Sequence, residues 1–218
     1  MQVTSLRTWL VDTERPGSLA ARARARRMRL LAATFPDLAS MRVLDLGGTV
    51  AFWALAPLRP AQVTLVNLDP QPAGPAWVST ELADACELPP RLRQGFDLVV
   101  SNSLIEHVGG HHRRHRLAET VRAAAPRHWV QTPNRHFPLE PHWVFPLQQY
   151  LPLAARVRVS TGWPVSHIRS ADRAQALADV LSVELLDAAR LRHYFPGSRI
   201  LPERFAGLVK SLIAVRGG

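Results

Sequence analysis

Short runs of consecutive apolar residues, separated by helix-length segments, constrain this chain more than any other feature. Met41 to Leu46 runs into Gly47-Gly48, and Val63 to Leu68 is rich in β-branched residues. Trp77-Val78 opens a weaker run, followed by Phe96 to Val100 and by His128 to Gln131, which Pro133 closes. Val183 to Leu186 and Leu208 to Val215 complete the set. Strands that are apolar without alternating must be covered on both faces, which argues for a mostly parallel sheet between helices. The intervening helices are expected at 18–35, stopped by Phe35-Pro36, at Ala51 to Leu58, at Arg113 to Ala125, and at Ala171 to Leu181 with Ser170 as N-cap. Residues 70–76 read as a loop. Residues 133–165, rich in proline and aromatics, read as an inserted loop region with short helices.

The 218 residues fit one domain, with 1–40 as an N-terminal helical segment. A single cysteine, Cys86, excludes an intrachain disulfide framework. No apolar stretch reaches the roughly 18–20 residues of a membrane span. Arg7, Asp12, Glu14 and Arg15 stand where a signal peptide would have its apolar core, so a cytoplasmic location is expected. The formal charge of +10 resembles a nucleic-acid signal. However, Lys210 is the only lysine and the arginines are spread through the chain. The densest run, Arg22 to Arg29 among alanines, reads as the polar face of a helix whose stripe is Leu19, Met28, Leu31 and Phe35. A solvated basic surface is therefore expected in preference to a nucleic-acid partner.

Sheets of this kind bind ligands at the carboxyl ends of their strands. After the first strand stands Val43-Leu44-Asp45-Leu46-Gly47-Gly48-Thr49, where glycines let the backbone turn sharply and approach a ligand. Asn67 ends the second strand, near the roughly 20-residue spacing of a ribose-binding side chain. A G-x-G-x-x-G pattern is absent, because positions 49–52 are Thr, Val, Ala and Phe, and this disfavours a nicotinamide enzyme.

VLDLGGT at 43–49, VTLVNLDP at 63–70, ADACELP at 83–89 and FDLVVSNSLIEHV at 96–108 resemble, in order and spacing, the consecutive motifs of class I S-adenosylmethionine (SAM)-dependent methyltransferases. WVQTPNRHFPLEPHWVFP at 129–146 is similar to a bacterial branch with a Gly-Gly-Thr loop and a Thr-Pro-Asn segment after the fifth strand. More weakly, the chain resembles actinobacterial sugar O-methyltransferases that act on mannose-containing polysaccharides. The resemblance spans roughly 41–215 and implies a Rossmann-like sheet of seven strands with an antiparallel last strand. It places Gly47 and Gly48 along the methionine part of SAM and Asp45 at its amino group. Asn67 takes the place of the usual acidic ribose ligand, with Asp69 as its substitute. Asp84 meets the adenine amino group beside Ala85 and Cys86, and Ser101 and Asn102 face the sulfonium end.

Methyl transfer needs in-line alignment and exclusion of water. An Asn/Asp-Pro-Pro-aromatic motif of amine-methylating nucleic-acid enzymes is absent, since Ser101-Asn102-Ser103-Leu104 occupies its place. A hydroxyl acceptor, hardly ionised at neutral pH, needs a base or a metal. Glu106-His107 follows the fourth strand, and His136, Glu140 and His142 follow the fifth. Some metal-dependent members carry Glu-x-x-Glu-His at the first place; here Ser103 replaces the first Glu. His142 is the expected base, with Glu106 and His107 either as orienters of that base or, together with His136, as ligands for Mg2+ or Mn2+. His111 and His115 have the i,i+4 spacing of a metal pair, but a solvated helix start explains them as well. The expected acceptor is a small molecule or oligosaccharide, and a homodimer is compatible with the sequence. Charge alone supports a second reading, an RNA methyltransferase. The Asn67 and Ser103 replacements support a third, a non-catalytic scaffold of the same fold.

Overall fold

The computed structural model describes residues 18–54, 56–166, 168 and 170–218. The expectations for residues 1–17, and the side chain of Leu19 in the helix stripe, lie outside what is described. Nine strands and six α-helices occur among these residues. They are α1 (Leu19–Thr34), β1 (Arg42–Leu46), α2 (Val50–Trp53), β2 (Gln62–Asn67), β3 (Val78–Leu82), β4 (Leu98–Asn102), α3 (His111–Ala124) and β5 (Arg127–Pro133). There follow β6 (Leu139–Glu140), β7 (Phe145–Pro146), α4 (Leu153–Gly162), α5 (Arg173–Ser182), α6 (Ala188–Tyr194), β8 (Arg199–Phe205) and β9 (Leu208–Arg216).

Seven strands form one sheet in the order β3-β2-β1-β4-β5-β9-β8. The first five strands in chain order are parallel, and β9 runs antiparallel between β5 and β8. The buried runs of β1, β2, β4 and β5 explain this placement, because central parallel strands have no solvent face. Side-chain alternation divides the core in two. Leu44, Leu46, Val99 and Val130 pack with Leu117, Val121 of α3 and Leu191 of α6. Val43, Val63, Leu98 and Trp129 pack on the other face with Met28 and Leu31 of α1 and with Trp53 of α2. Each such fully buried apolar side chain contributes about 1.5–3 kcal/mol. A buried Arg27–Glu203 ion pair at 2.8 Å ties α1 to the edge strand β8.

Three expectations are corrected here. Val183 to Leu186 is not a sheet strand: Leu186 makes only an isolated bridge to Asn134, and Val183 and Leu185 pack with Trp143, Val157, Ala176 and Val180. The remaining strand of the sheet is Arg199–Phe205, which contains Pro202 and is largely accessible. An edge strand needs one paired side and tolerates proline, so it carries no apolar run to betray it. Helix α5 starts later than expected, capped by Asp172, whose carboxylate accepts from Gln175 N–H. Ser170 instead donates to Asp179 at 2.7 Å. Helix α2 is also shorter than expected, ending at Trp53.

The strand order reverses between β1 and β4, so the loops after β1, β2, β4 and β5 gather at one edge of the sheet. The region after β5 forms a short β6–β7 hairpin followed by α4, and α4 packs with α5 to close a third apolar cluster.

Candidate active site

At the carboxyl end of β1 the chain turns through Gly47, whose φ of +75° is open to glycine and strained for other residues. Its N–H donates to the Val66 carbonyl at 2.8 Å, fixing the turn to β2. A Cβ on Gly48 would lie 1.9 Å from Asp45 Oδ2, so the glycine lets the backbone fold over that carboxylate. Asp45 is fully buried, and Trp53 Nε1 donates to Oδ2 at 2.8 Å. Oδ1 has no partner among the described residues. Burial raises the Asp45 pKa to about 7, against the opposing Trp53 hydrogen bond.

The other residues expected along the cofactor divide into those engaged by the fold and those left open. Asn67 Nδ2 donates to the Gly48 carbonyl at 3.3 Å and its Oδ1 accepts from Asp69 N–H at 3.4 Å, so its amide braces the glycine turn. Asp69 is exposed beyond it. Asp84 receives Arg113 Nη2 at 3.0 and 2.8 Å and Cys86 N–H at 2.8 Å. Burial pushes its pKa up, but these donors outweigh it and hold the carboxyl below its ordinary value. Ala85 is buried, and the Cys86 thiol is pushed to about 11 by burial, which rules against a thiolate nucleophile at neutral pH. Ser101 donates to the Leu46 carbonyl at 3.2 Å, bridging β4 to β1. Asn102, last in β4, keeps both amide atoms buried without a partner among the described residues.

Past Asn102 the chain reverses at Ser103, in the left-handed region at φ +53°. Ser103 is held by Gln131 of β5, through its N–H to the carbonyl at 2.9 Å and its hydroxyl to Oε1 at 3.1 Å. That turn puts Leu104 against Gly47 and aims Glu106 and His107 toward the segment after β5. Glu106 is buried. Its Oε2 accepts from Thr132 of β5 at 3.0 Å, while Oε1 is without a partner among the described residues. Burial raises its pKa, opposed by the nearby His142.

The β6–β7 hairpin presents His142. Glu140 in β6 accepts His142 N–H at 2.8 Å and Trp143 N–H at 2.9 Å on one carboxylate oxygen, and His142 Nδ1 at 2.7 Å on the other. Trp143 is buried and donates to Ser160 of α4 at 2.7 Å, anchoring the hairpin. His142 Nε2 lies 3.0 Å from His107 Nε2. Burial lowers the His142 pKa, but the Glu140 hydrogen bond and charge, with Glu106, raise it overall. Burial and the His142 charge lower His107 to about 4. His142 is thus the more basic imidazole of the pair: with Nδ1–H donated to Glu140, its Nε2 is the atom that takes up a proton, and once protonated it donates to a neutral His107.

Glu106, His107 and His142 bring one ligand atom each to within 4.8 Å of one another, the one such group among the described residues. His136 stands apart, its Nδ1 bonded to the Tyr150 hydroxyl at 2.9 Å. His111 bonds the Tyr194 hydroxyl at 2.8 Å, and His115 faces Glu119 at 3.5 Å. The residue that sequence reasoning left without a role is Glu140, although it lies two residues before His142; only the hairpin turn reveals why that spacing matters.

A family model described as a methyltransferase domain matches residues 18–195. The chain belongs to that family, within the class I SAM-dependent methyltransferases. Among solved structures it is similar to the N-methyltransferase NodS of Bradyrhizobium japonicum with bound S-adenosylhomocysteine (SAH), at 13% identity and a TM-score of 0.52, covering 88% of this chain and 85% of that one. It is also similar to magnesium protoporphyrin IX methyltransferase of Synechocystis PCC 6803 with bound SAH, at 11% identity and a TM-score of 0.53, covering 89% and 84%. The N-terminal domain of EvdMO1, in the presence of SAH and D-fucose, matches at 18% identity and a TM-score of 0.52, covering 98% and 93%. No curated protein matches the sequence. These identities establish the shared fold. SAM itself fits the open features of the first half of the site: a cradle that only glycine leaves clear at Gly48, the unpartnered Asp45 Oδ1 and the unpartnered Asn102 amide.

Proposed function

We propose that this methyltransferase transfers the SAM methyl group to a hydroxyl, and that the hydroxyl belongs to a saccharide. The observation that carries the reading is the Glu140–His142–His107 chain beside buried Glu106, at the carboxyl ends of β4 and β5. SAM, when bound, supplies the electrophilic methyl carbon. The residues that would hold the cofactor are Asp45, whose Oδ1 would accept from its ammonium, Asp69 toward its ribose, Asp84 and Ala85 beside its adenine, and Asn102 at the reacting end.

The protein's chemical task is to accept the acceptor's proton. Glu140 strengthens His142 as a base by stabilising its imidazolium form, and two backbone N–H donors fix the carboxylate that does so. A proton arriving at Nε2 is shared with His107, which stays neutral. Glu106 and His107 act here as orienting groups. The same three ligand atoms would also suit a divalent ion, with His142 taking the place that sequence reasoning gave to His136. Two imidazoles among three ligands favour Mn2+ over Mg2+. Such an ion would lower the acceptor's pKa directly, and an EDTA titration of the transfer rate distinguishes this from base catalysis alone.

A saccharide is supported by the aromatic and polar hairpin on the acceptor side and by a structural neighbour determined in the presence of D-fucose. The test is transfer from methyl-labelled SAM to panels of mono- and oligosaccharides and of RNA, with the product bond identified by NMR. The expected product is an O-methyl ether of a sugar. Label in RNA alone, or in an amine, would overturn the reading.

A further inference from the structure

The inserted segment also lines a partly open pocket whose cavity of about 40 Å³ has the scale of a single anionic group, between Arg135, Gln148, Gln149 and Arg156 on one side and Val183 to Leu185 on the other. Gln148 is fully buried, yet both atoms of its amide lack a partner among the described residues. Gln149 Oε1 and Arg156 Nε are buried and unpartnered as well. Four unsatisfied polar atoms around one concavity are costly unless a ligand meets them.

The charges are equally specific. Neither Arg135 nor Arg156 forms an ion pair among the described residues. Arg135 lies over the Tyr150 ring at 5.6 Å, and one nitrogen of Arg156 donates to the Val180 carbonyl. The two acids that border the pocket are already engaged. Glu140 holds His142 and two backbone N–H groups, and Glu184 pairs with Arg114 and Arg190. Burial lowers the Arg156 pKa, and the Arg135 charge adds to this against the opposing Glu140. Two like charges thus converge with no carboxylate in direct contact among the described residues, the nearby Glu140 and Glu184 being held by other donors.

We propose that this pocket binds an anionic oxygen group, phosphate or carboxylate, carried by a hydroxylated acceptor. The guanidinium groups and the Gln148 N–H donors meet the anion. The Gln148 and Gln149 oxygens accept from neighbouring sugar hydroxyls. Glu140 and Trp143 border this pocket while Glu140 also holds His142, so a ligand anchored here lies against the catalytic hairpin. The acceptor is then an acidic or phosphorylated saccharide. This inference rests on the reading that the hairpin faces the acceptor, but its test is a binding measurement that needs no turnover.

The experiment is an NMR or calorimetric titration of the full chain with glucose 6-phosphate, glucuronate and glucose, at constant ionic strength. At least one charged sugar is expected to bind tenfold or more tightly than glucose, and the better of the two identifies the anion. Arg135→Gln and Arg156→Gln, both at partly accessible positions, should each weaken that binding tenfold while leaving SAM affinity unchanged. No preference for either charged sugar, or undiminished binding in both variants, would overturn the pocket. Failure here alongside O-methylation of neutral sugars would remove the anion site alone. Binding here alongside N-methyl products would instead remove the hydroxyl reading.

Discussion

The turn after β1 and the hairpin after β5 border one site but are built in opposite ways. The first is local: Asp45, Gly47 and Gly48 lie within four residues, and Asn67 and Trp53 brace them through the backbone and a buried carboxylate. The second is assembled across the chain, with His107 and His142 brought to 3.0 Å from the ends of two strands and Glu140 placed by a hairpin of its own. The first half leaves Asp45 Oδ1 and the Asn102 amide open, the groups that the proposed cofactor placement would satisfy. The second half has its groups already in contact, in a chain suited to moving a proton. A local turn can be read from consecutive residues, whereas a side-chain relay requires the fold to close first.

Breaking the relay should have the largest effect. His142→Ala is expected to lower kcat by about 10²–10⁴, the range for loss of a general base, measured by transfer of labelled methyl under saturating SAM. Glu140→Gln keeps the hairpin's shape but removes the charge that stabilises the imidazolium. A fall of about 10–100-fold in kcat is expected, with little change in KM for SAM. An equal loss of SAM affinity in this variant would show that the two halves are not separable.

Perturbing the glycine turn should do the reverse. Gly47→Val places a branched side chain at φ +75° and against Leu104, at 3.0 Å already from its Cβ position. SAM affinity should drop tenfold or more, about 1.4 kcal/mol, by calorimetry. Thermal unfolding of the same sample checks that the variant folds.

Acidity sharpens the comparison further. Asp45 has a folded pKa near 7, raised by burial, so it costs stability as pH rises from its ordinary value through 7. An ammonium at Oδ1 would favour the ionised form. SAM affinity should therefore rise with pH, by up to about tenfold per unit below 7, and level off above it. Asp45→Asn should flatten that dependence. A flat profile in the wild type would place the cofactor's amino group elsewhere.

What the sequence made legible follows the same division. The strands β1, β2 and β4 have continuous apolar runs, and the glycines follow β1 directly, so both the sheet and the glycine turn were readable. Edge strand β8 was not, because one paired side and Pro202 leave no apolar pattern. Val183 to Leu186 was misread because its apolar residues pack into the α4–α5 cluster instead of a sheet. The Glu106, His107 and His142 grouping was anticipated in part, but His136 was drawn into it because proximity in sequence cannot separate it from His142. Its hydrogen bond to Tyr150 turns it away. The bracing of Asp84 by Arg113 was likewise invisible, since the two are far apart in the chain and meet only when α3 packs beside β3's loop.

The central claim is that cofactor binding and proton handling reside in separable halves of the site. Its most direct test is calorimetric titration of SAM into the double variant His107→Ala/His142→Ala. The account predicts a Kd within about twofold of the wild type, with heat and stoichiometry preserved. A tenfold weaker Kd in a folded double variant would contradict it, showing that the relay is part of the cofactor site.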